Sequence, residues 1–505
     1  MSQRIERAPA FSLDGGARLC FCRSATVGHA MDVRPVIPFH VVSDEVIEDL
    51  HRRALRVLEE IGLRVSDPRL VRRLQGRPGV RFRDDRVLLD PAVVREVVNL
   101  TERRKQPLPD RRAPDHISIL TAYHARHILD PATDTIRPLT EADAVRAARL
   151  TDALRDRDVI GGAPGAPQDI APPLRIIAQY RISAEWSRSG HYAPVSTVAE
   201  QRYIRQMARV LDEDFPLECY LISPLRLEGD EVSAVITYLE TCGKSEQPVH
   251  VTTLSMPTMG LSGPADPLAL FVLGLAESIG GCVAMTLAFE QEARVHMARP
   301  GAYPCDFRTG ALIVGSPEAV LIELIRRDFD RFYRHGMWAR ALRTMSPVTG
   351  VQAAAEKSAG AVACALAGYE EWFGGGYIGL DEVFSPVQLL VDCEIRDYAL
   401  QLARGFEADP SFDDVAVLRE VLTNTTEGLP FMTHETTVAG FRKVFRPSRL
   451  FDRHPYRGQT QPKDEALCAA KEELKRLEGA HEYRLDAARR AEIQRIYEDA
   501  RTELG

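Results

Sequence analysis

The stretch 248–267, PVHVTTLSMPTMGLSGPADP, carries the decision about the fold. Its first nine residues, PVHVTTLSM, are a short apolar run of strand type, and Pro257, Gly260, Gly263 and Pro264 then shape a loop. A helical run containing Ala276 and Glu277 follows. Strand, loop and helix in that order make one βα unit, and in barrels built of such units the loop lies at the mouth, where the working residues sit. The alternation recurs on both sides. ISIL at 117–120, DVIGG at 158–162, YAPVSTV at 192–198, LECYLIS at 217–223, CVAMTL at 282–287, ARVHM at 293–297 and EEWFGGGYIG at 370–379 are further short apolar runs separated by helical patterns. About eight such units over roughly three hundred residues predict a parallel α/β sheet closed into a TIM (β/α)8 barrel, with N-terminal and C-terminal helical extensions.

Residues 1–40, rich in Gly, Arg and Pro without sustained periodicity, read as a flexible N-terminal arm. From Ser43 the pattern changes: Ile47, Leu50, Ala54, Val57, Leu58 and Ile61 recur at helical spacing, Ser43 or Asp44 caps the start and Gly62 ends the run. This helix opens an N-terminal helical subdomain over 41–115. The barrel is assigned to 116–425, and 426–505 to a C-terminal helical segment packing on it, with Leu474, Leu477, Ile493, Ile496 and Tyr497 as buried positions.

The formal net charge of −8 argues against nucleic acid as a partner and is compatible with a cationic substrate. No apolar run reaches the eighteen or so residues of a membrane span, and the first residues lack the apolar core of a signal peptide. The nine cysteines include no Cys-x-x-Cys pair, so the sequence carries no zinc signature and reads as a reduced, cytoplasmic chain; Cys20 and Cys22 are the closest neighbours and read as inert.

Phosphate-binding glycine loops, the Gly-x-Ser-x-Gly elbow and His-Glu-x-x-His are all missing from the sequence. The most suggestive segment is 336–379. Gln352 and Glu356, four apart at the start of a helix, share a face near its electropositive end, where a carboxylate is also often no more than a stabilising charge. Trp338, Tyr369, Trp372, Phe373 and Tyr377 supply aromatic faces suited to a quaternary ammonium, although aromatics are more often core than cage.

The chain resembles the trimethylamine methyltransferase (MttB-like) family of corrinoid-dependent methyltransferases. The resemblance runs from about Ser43 to about Ala500. It is carried by LHRRALRVLEEIGLRVSDP at 50–68, MPTMGLSGPADP at 256–267 with GLAE at 274–277, GSPEAVLIELI at 315–325, VQAAAEK at 351–357, SPVQLLVDCEI at 385–395 and HETTVAGFRKVFRPSRLFDR at 434–453. It implies a TIM barrel that moves an N-methyl group from a quaternary, betaine-like amine to the Co(I) of cobalamin supplied by a separate corrinoid protein. No intrinsic metal is implied, and a homo-oligomer is. Because the chain reads through with standard residues, it resembles the branch without pyrrolysine. Asp452-x-His454-x-x-x-Gly458 is one residue away from the Asp-x-His-x-x-Gly mark of corrinoid carriers, a coincidence on this reading.

The implied catalytic residues are Glu356, Gln352 and His434. Trp338, Tyr369, Trp372, Phe373, Tyr377, Glu277 and Asp306 are assigned to the substrate, with Arg340 and Arg343 on a betaine carboxylate. Solvent exposure or pairing with structural acids is the plainer reading of the two arginines, and Thr349 stands where the family usually has Asp. Two alternatives stay open. One keeps the barrel with a sulfonium or methoxy donor or a folate acceptor, and the other is a non-catalytic binder of quaternary amines.

Overall fold

A computed structural model describes residues 31–33, 40–102, 114–241, 248–336, 338–409, 412–423, 430–456, 458 and 463–505. The chain is mixed α/β with two parallel sheets at its centre. In the first, the strand Val249–Ser255 lies between Leu217–Leu221 and Ala293–Met297, with Thr252 opposite both Glu218 and His296. In the second, Glu371–Gly375 lies between Trp338–Ala339 and Ser118–Thr121, and the last of these also pairs with Val159–Ile160. Within these two sheets the first strand in the sequence is therefore hydrogen-bonded to the last.

Side chains alternate across each strand, and here the two faces differ in burial. Leu217, Cys219, Leu221, Val249, Val251 and Thr253 are buried, whereas Glu218, Tyr220, Thr252, Leu254 and His296 are only half-buried. The buried face meets the helix Pro267–Ala288, to whose Ser278 carbonyl the Thr253 hydroxyl donates a hydrogen bond of 3.3 Å. That helix begins where it should: the Asp266 side chain accepts from the Ala269 amide, and Pro267 occupies the first turn. Gly274 lets it pass close to the neighbouring backbone, since a Cβ there would stand 1.9 Å from the Gly301 carbonyl.

The helix corrects two expectations. CVAMTL at 282–287 is its last part rather than a strand, because an all-round apolar run has no periodicity to separate buried helix from buried strand. The 22-residue helix is also long and apolar enough to cross a membrane, although Glu277 interrupts the apolar run in the sequence, but most of it is buried inside the protein. Other differences are local. YAPVSTV forms no strand beyond which the helix Val198–Val210 begins, Trp338–Ala339 does form one, and the segment 41–115 holds a three-stranded antiparallel sheet among its helices. Within that sheet Val80–Arg83 and Arg86–Leu89 form a hairpin turned at Asp84 and Asp85, with Asp84 at φ 55°.

Among the described residues, those of Phe39–Gln401 and Ser448–Gly505 form one compact unit, and those of Met1–Pro38 with Leu402–Pro447 another. In the smaller unit Met31–Val33 pairs antiparallel with Phe406–Ala408, and the helices Asp414–Thr423 and Glu435–Val444 follow. The rest of the expected arm, with Cys20 and Cys22, lies outside the described residues. The larger unit has its main apolar core around Pro267–Ala288. A second core lies between the helices Arg175–Trp186, Val198–Val210 and Ala487–Leu504.

Candidate functional site

The segment 336–379 proves to be built around arginines. Arg299, at the end of its strand, is buried and donates to Asp330 Oδ1 at 2.8 Å, to the Trp338 carbonyl, and to the Tyr369 hydroxyl at 3.2 Å. Tyr369 in turn donates to the Glu323 carbonyl at 2.8 Å. Glu323, on the helix Pro317–Phe332, takes Arg326 directly, Arg340 at 3.4 Å and Arg299 at 3.6 Å. Burial alone would raise the Glu323 carboxyl, but Arg326, Arg299 and Arg340 outweigh it and hold it down to about 2. Trp338 is stacked by this knot, with Arg299 at 4.5 Å and Arg340 at 4.9 Å from its ring. The expected cage residues Trp338 and Tyr369 thus already engage cations that belong to the protein. Arg343 is likewise taken, bonded through two nitrogens to both oxygens of Asp381.

Beside this knot is a small cleft partly open to solvent, with Arg340, Arg343, Glu323 and Glu356 among its lining. Glu356 accepts from the Thr344 hydroxyl at 2.5 Å, the Met345 amide at 3.0 Å and Gln352 Nε2 at 2.8 Å. Gln352 and Glu356 do meet, and together they brace the loop after Trp338–Ala339.

The aromatic residues that gather do so on the half-buried strand face. Tyr123, just past the first parallel strand, has ring centroids of Tyr192 at 4.2 Å, His124 at 4.3 Å and Phe373 at 5.2 Å, and Tyr377 lies 5.5 Å from Phe373. The Tyr377 hydroxyl accepts from the amides of Tyr123 at 2.8 Å and His124 at 2.6 Å, which fixes that loop. Glu218 lies beside the cluster and accepts hydrogen bonds from Tyr192 and Tyr220. Burial pushes the Glu218 carboxyl up, and those two hydrogen bonds oppose the rise. His124 has an exposed surface yet sits among crowded protein atoms, which lower it to about 4 with a further contribution from Arg343, against the pull of Asp381. Trp372, by contrast, is fully buried on the opposite strand face from Phe373.

The remaining expected residues serve local structure. Glu277 is fully buried and receives the Leu225 amide at 2.7 Å and the Ser223 hydroxyl at 2.9 Å, holding the turn after Leu217–Leu221. Asp306 is paired with Arg308 two residues on, whose hydrogen bonds lower it to about 2. His434 lies in the smaller unit, where it caps the helix Glu435–Val444 by accepting from the Thr436 amide. His454 bonds to Asp452 on an exposed loop. Among the described residues no three His, Cys, Asp or Glu side chains stand close enough to share a metal ion.

A family model described as trimethylamine methyltransferase (MTTB) matches residues 23–505. The chain belongs to that family. A glycine betaine methyltransferase of Desulfitobacterium hafniense (strain Y51) is 23% identical over 433 residues, which are 83% of this chain and 88% of that protein. The trimethylamine methyltransferase MttB of D. hafniense (strain DSM 10664 / DCB-2) is 22% identical over 430 residues, 81% of this chain and 83% of that protein. The trimethylamine methyltransferase MttB2 of Methanosarcina mazei is 26% identical over 199 residues, 39% of each chain.

Several residues of this trimethylamine methyltransferase family member escaped the sequence reading. Glu218 and Tyr220 were signalled only by their alternation with Leu217, Cys219 and Leu221. Tyr123 follows the run ISIL and Tyr192 opens the run YAPVSTV, and neither carries a motif of its own. Lys357 and Asp392 also went unnoticed. They form a fully buried ion pair of 2.8 Å, with Gln388 donating to Asp392 at 2.8 Å and the Gly376 amide doing the same at 2.8 Å.

Proposed function

We propose that this member of the family takes an N-methyl group from a quaternary amine and delivers it to an acceptor presented by a second protein. In this reading the acceptor is the Co(I) of a corrinoid, which supplies the electron pair for the new bond to carbon. The tyrosine-rich cluster beside Glu218 is the observation that carries the proposal. Tyr123, Tyr192, Tyr220 and Phe373 can offer ring faces to a tetraalkylammonium, and Glu218 offers the opposite charge.

The chemistry asks little of acids and bases. When the C–N bond breaks, its electron pair stays on nitrogen, which departs as a neutral tertiary amine and needs no proton. Positive charge therefore fades in the transition state, so a fully ionised carboxylate against the nitrogen would favour the bound substrate over the reaction. Burial of the Glu218 carboxyl disfavours its charged form, which works in the direction of limiting that penalty. Tyrosine faces and the fixed Tyr123 loop orient the methyl group and exclude water, which is where the rate gain belongs.

Two further parts of the proposal concern architecture. The two parallel sheets are arcs of one (β/α)8 barrel, with the extended stretch from Tyr192 as its third stave. The chain order of the strands and the pairing of the first with the last support this. The end to which the second protein comes is the C-terminal end of the strands, where Ile222, Met256, Leu261, Phe307 and Val348 stand as exposed apolar side chains on successive loops. Such a rim suits a macromolecular partner.

The direct test mixes the full chain anaerobically with free reduced cobalamin and trideuteromethyl-labelled quaternary amines, and follows the demethylated amine by mass spectrometry. Loss of one labelled methyl from a quaternary donor is the expected result. Binding of every donor without any product, even with a corrinoid protein supplied, would sink the methyltransferase reading and leave a binding protein.

A further inference from the structure

One run of backbone is held in a costly shape. Gly379, Leu380 and Asp381 are all left-handed, at φ 58°, 55° and 70°, whereas the other left-handed non-glycine residues among those described occur singly. In that region a Cβ is crowded against the following carbonyl oxygen, so adjacent side-chain-bearing residues persist there only where their surroundings hold them. Here the grip comes from two sides. The Gly379 amide donates to the Ser346 carbonyl at 2.6 Å and the Leu380 amide to the Thr344 carbonyl at 3.1 Å. Opposite, the Glu382 carbonyl accepts from the amides of Arg126 and His127 at 3.0 and 3.1 Å.

What the turn presents is the Asp381 carboxylate. Both of its oxygens receive Arg343, through Nε at 3.0 Å and through Nη2, and the side chains of the acid and the arginine are only 13% and 10% exposed. Arg343 borders the aromatic cluster, since a Cβ on Gly374, the residue after Phe373, would stand 3.0 Å from Arg343 Cγ. Asp381 follows by four residues Tyr377, whose hydroxyl holds the amides of Tyr123 and His124. Burial sets the direction at the Tyr123 and His124 side chains, and of the pair's two charges Asp381 acts on each more strongly than Arg343. Without that carboxylate, a nearly buried guanidinium beside the cluster would repel an incoming cation.

We infer that Asp381 sets the site's preference for cations: held out by the left-handed turn, it cancels Arg343, so that no bare guanidinium stands beside the tyrosine cluster when a tetraalkylammonium enters. The inference rests on the quaternary-amine reading above and adds to it a residue that acts through another side chain. Arg343 on this account ties the loop after Trp338–Ala339 to the turn by a two-pronged contact, and opposes cation binding when its partner is removed.

Calorimetric titration of the full chain with choline and with 3,3-dimethylbutan-1-ol, which has the same shape without the charge, isolates the electrostatic part. The parent should bind choline about ten-fold or more tightly than the alcohol, as expected of a desolvated cation on aromatic faces. Asp381→Asn, which keeps the side chain's size and suits a left-handed backbone, should reduce that ratio about ten-fold. Arg343→Met combined with Asp381→Asn should restore it, and Arg343→Met alone should hold or raise it. Loosened packing would instead weaken both ligands alike, and the second substitution would not repair it. An unchanged ratio in Asp381→Asn, or a double variant no better than the single, overturns the inference and leaves the proposed activity standing. Should a melting curve show that Asp381→Asn does not fold, Arg343→Met decides, since a lower ratio there overturns the inference as well. If the parent binds both ligands equally, or neither, the quaternary-amine reading falls and takes the inference with it.

Discussion

Glu218 is buried beside tyrosines that donate to it, and burial keeps its pKa above the usual carboxylate value. A bound cation favours the ionised form, so cation affinity should rise with pH through that raised pKa and fall as the solution is acidified. Tetramethylammonium titrations carried upward from the usual carboxylate pKa should show this slope, and Glu218→Gln should flatten it. Glu323 behaves in the opposite sense. Its pKa is depressed to about 2, so its contribution to stability is whole above the unfolded carboxyl value and is lost as pH falls through the folded one. Glu323→Gln, which leaves Arg326 and Arg340 facing no carboxylate while Asp330 still answers Arg299, should cost roughly 3–5 kcal/mol at neutral pH. In urea unfolding the gap to the parent protein should be narrower at about pH 3 than at pH 7. Of the residues around Glu323, Arg340 is named in the sequence only through the family resemblance, beside the plainer reading of pairing with a structural acid. Glu218 could not be named, since its partners Tyr192 and Tyr220 arrive from different elements and an acidic residue in an alternating strand reads equally as solvent-facing.

At the scale of elements, the buried Lys357–Asp392 pair ties the helix Val351–Leu366 to Pro386–Arg404 across the strand Glu371–Gly375. Asp392 also holds the Gly376 amide, next to the tyrosine that fixes the Tyr123 loop. Burial pushes Lys357 down and Asp392 up, each against the attraction of the other. Lys357→Met should therefore cost about 3–5 kcal/mol by stranding the carboxylate, while Lys357→Met with Asp392→Leu should recover most of it. Urea unfolding of the two variants decides. A single variant no worse than the double would mean that the pair is not what binds these helices together. Strands were readable from the sequence wherever a short apolar run sat between helical patterns, as at 217–221 and 249–255. They were not readable at 282–287, where a helix buried on every side looks apolar at any period, nor at Trp338–Ala339, which is too short to show one.

For the whole molecule, the C-terminal helix Ala487–Leu504 closes the second core, with Ile493, Ile496 and Tyr497 buried alongside Ile177, Tyr180, Ile204 and Met207. Removing residues 487–505 should lower stability by about 5 kcal/mol or more, at roughly 1.5–3 kcal/mol for each large side chain uncovered. Thermal unfolding of the truncated chain checks this, and an unchanged midpoint would show the helix to be dispensable. The sequence revealed the α/β class and the apolar positions of this tail. Which strands are neighbours depends on pairings between distant segments, which no local pattern encodes.

The pairing of Ser118–Thr121 with Glu371–Gly375 has a consequence for synthesis. At roughly 5–20 residues per second, a ribosome takes some ten to fifty seconds to make the roughly 250 residues that separate the two strands. Throughout that interval the earlier strand has emerged with one hydrogen-bonding edge unmatched, open to the same edge on a neighbouring nascent chain. A codon-usage change that lengthens the pause before residue 371, or a shortage of chaperone, should therefore reduce the yield of folded protein without altering any residue in it.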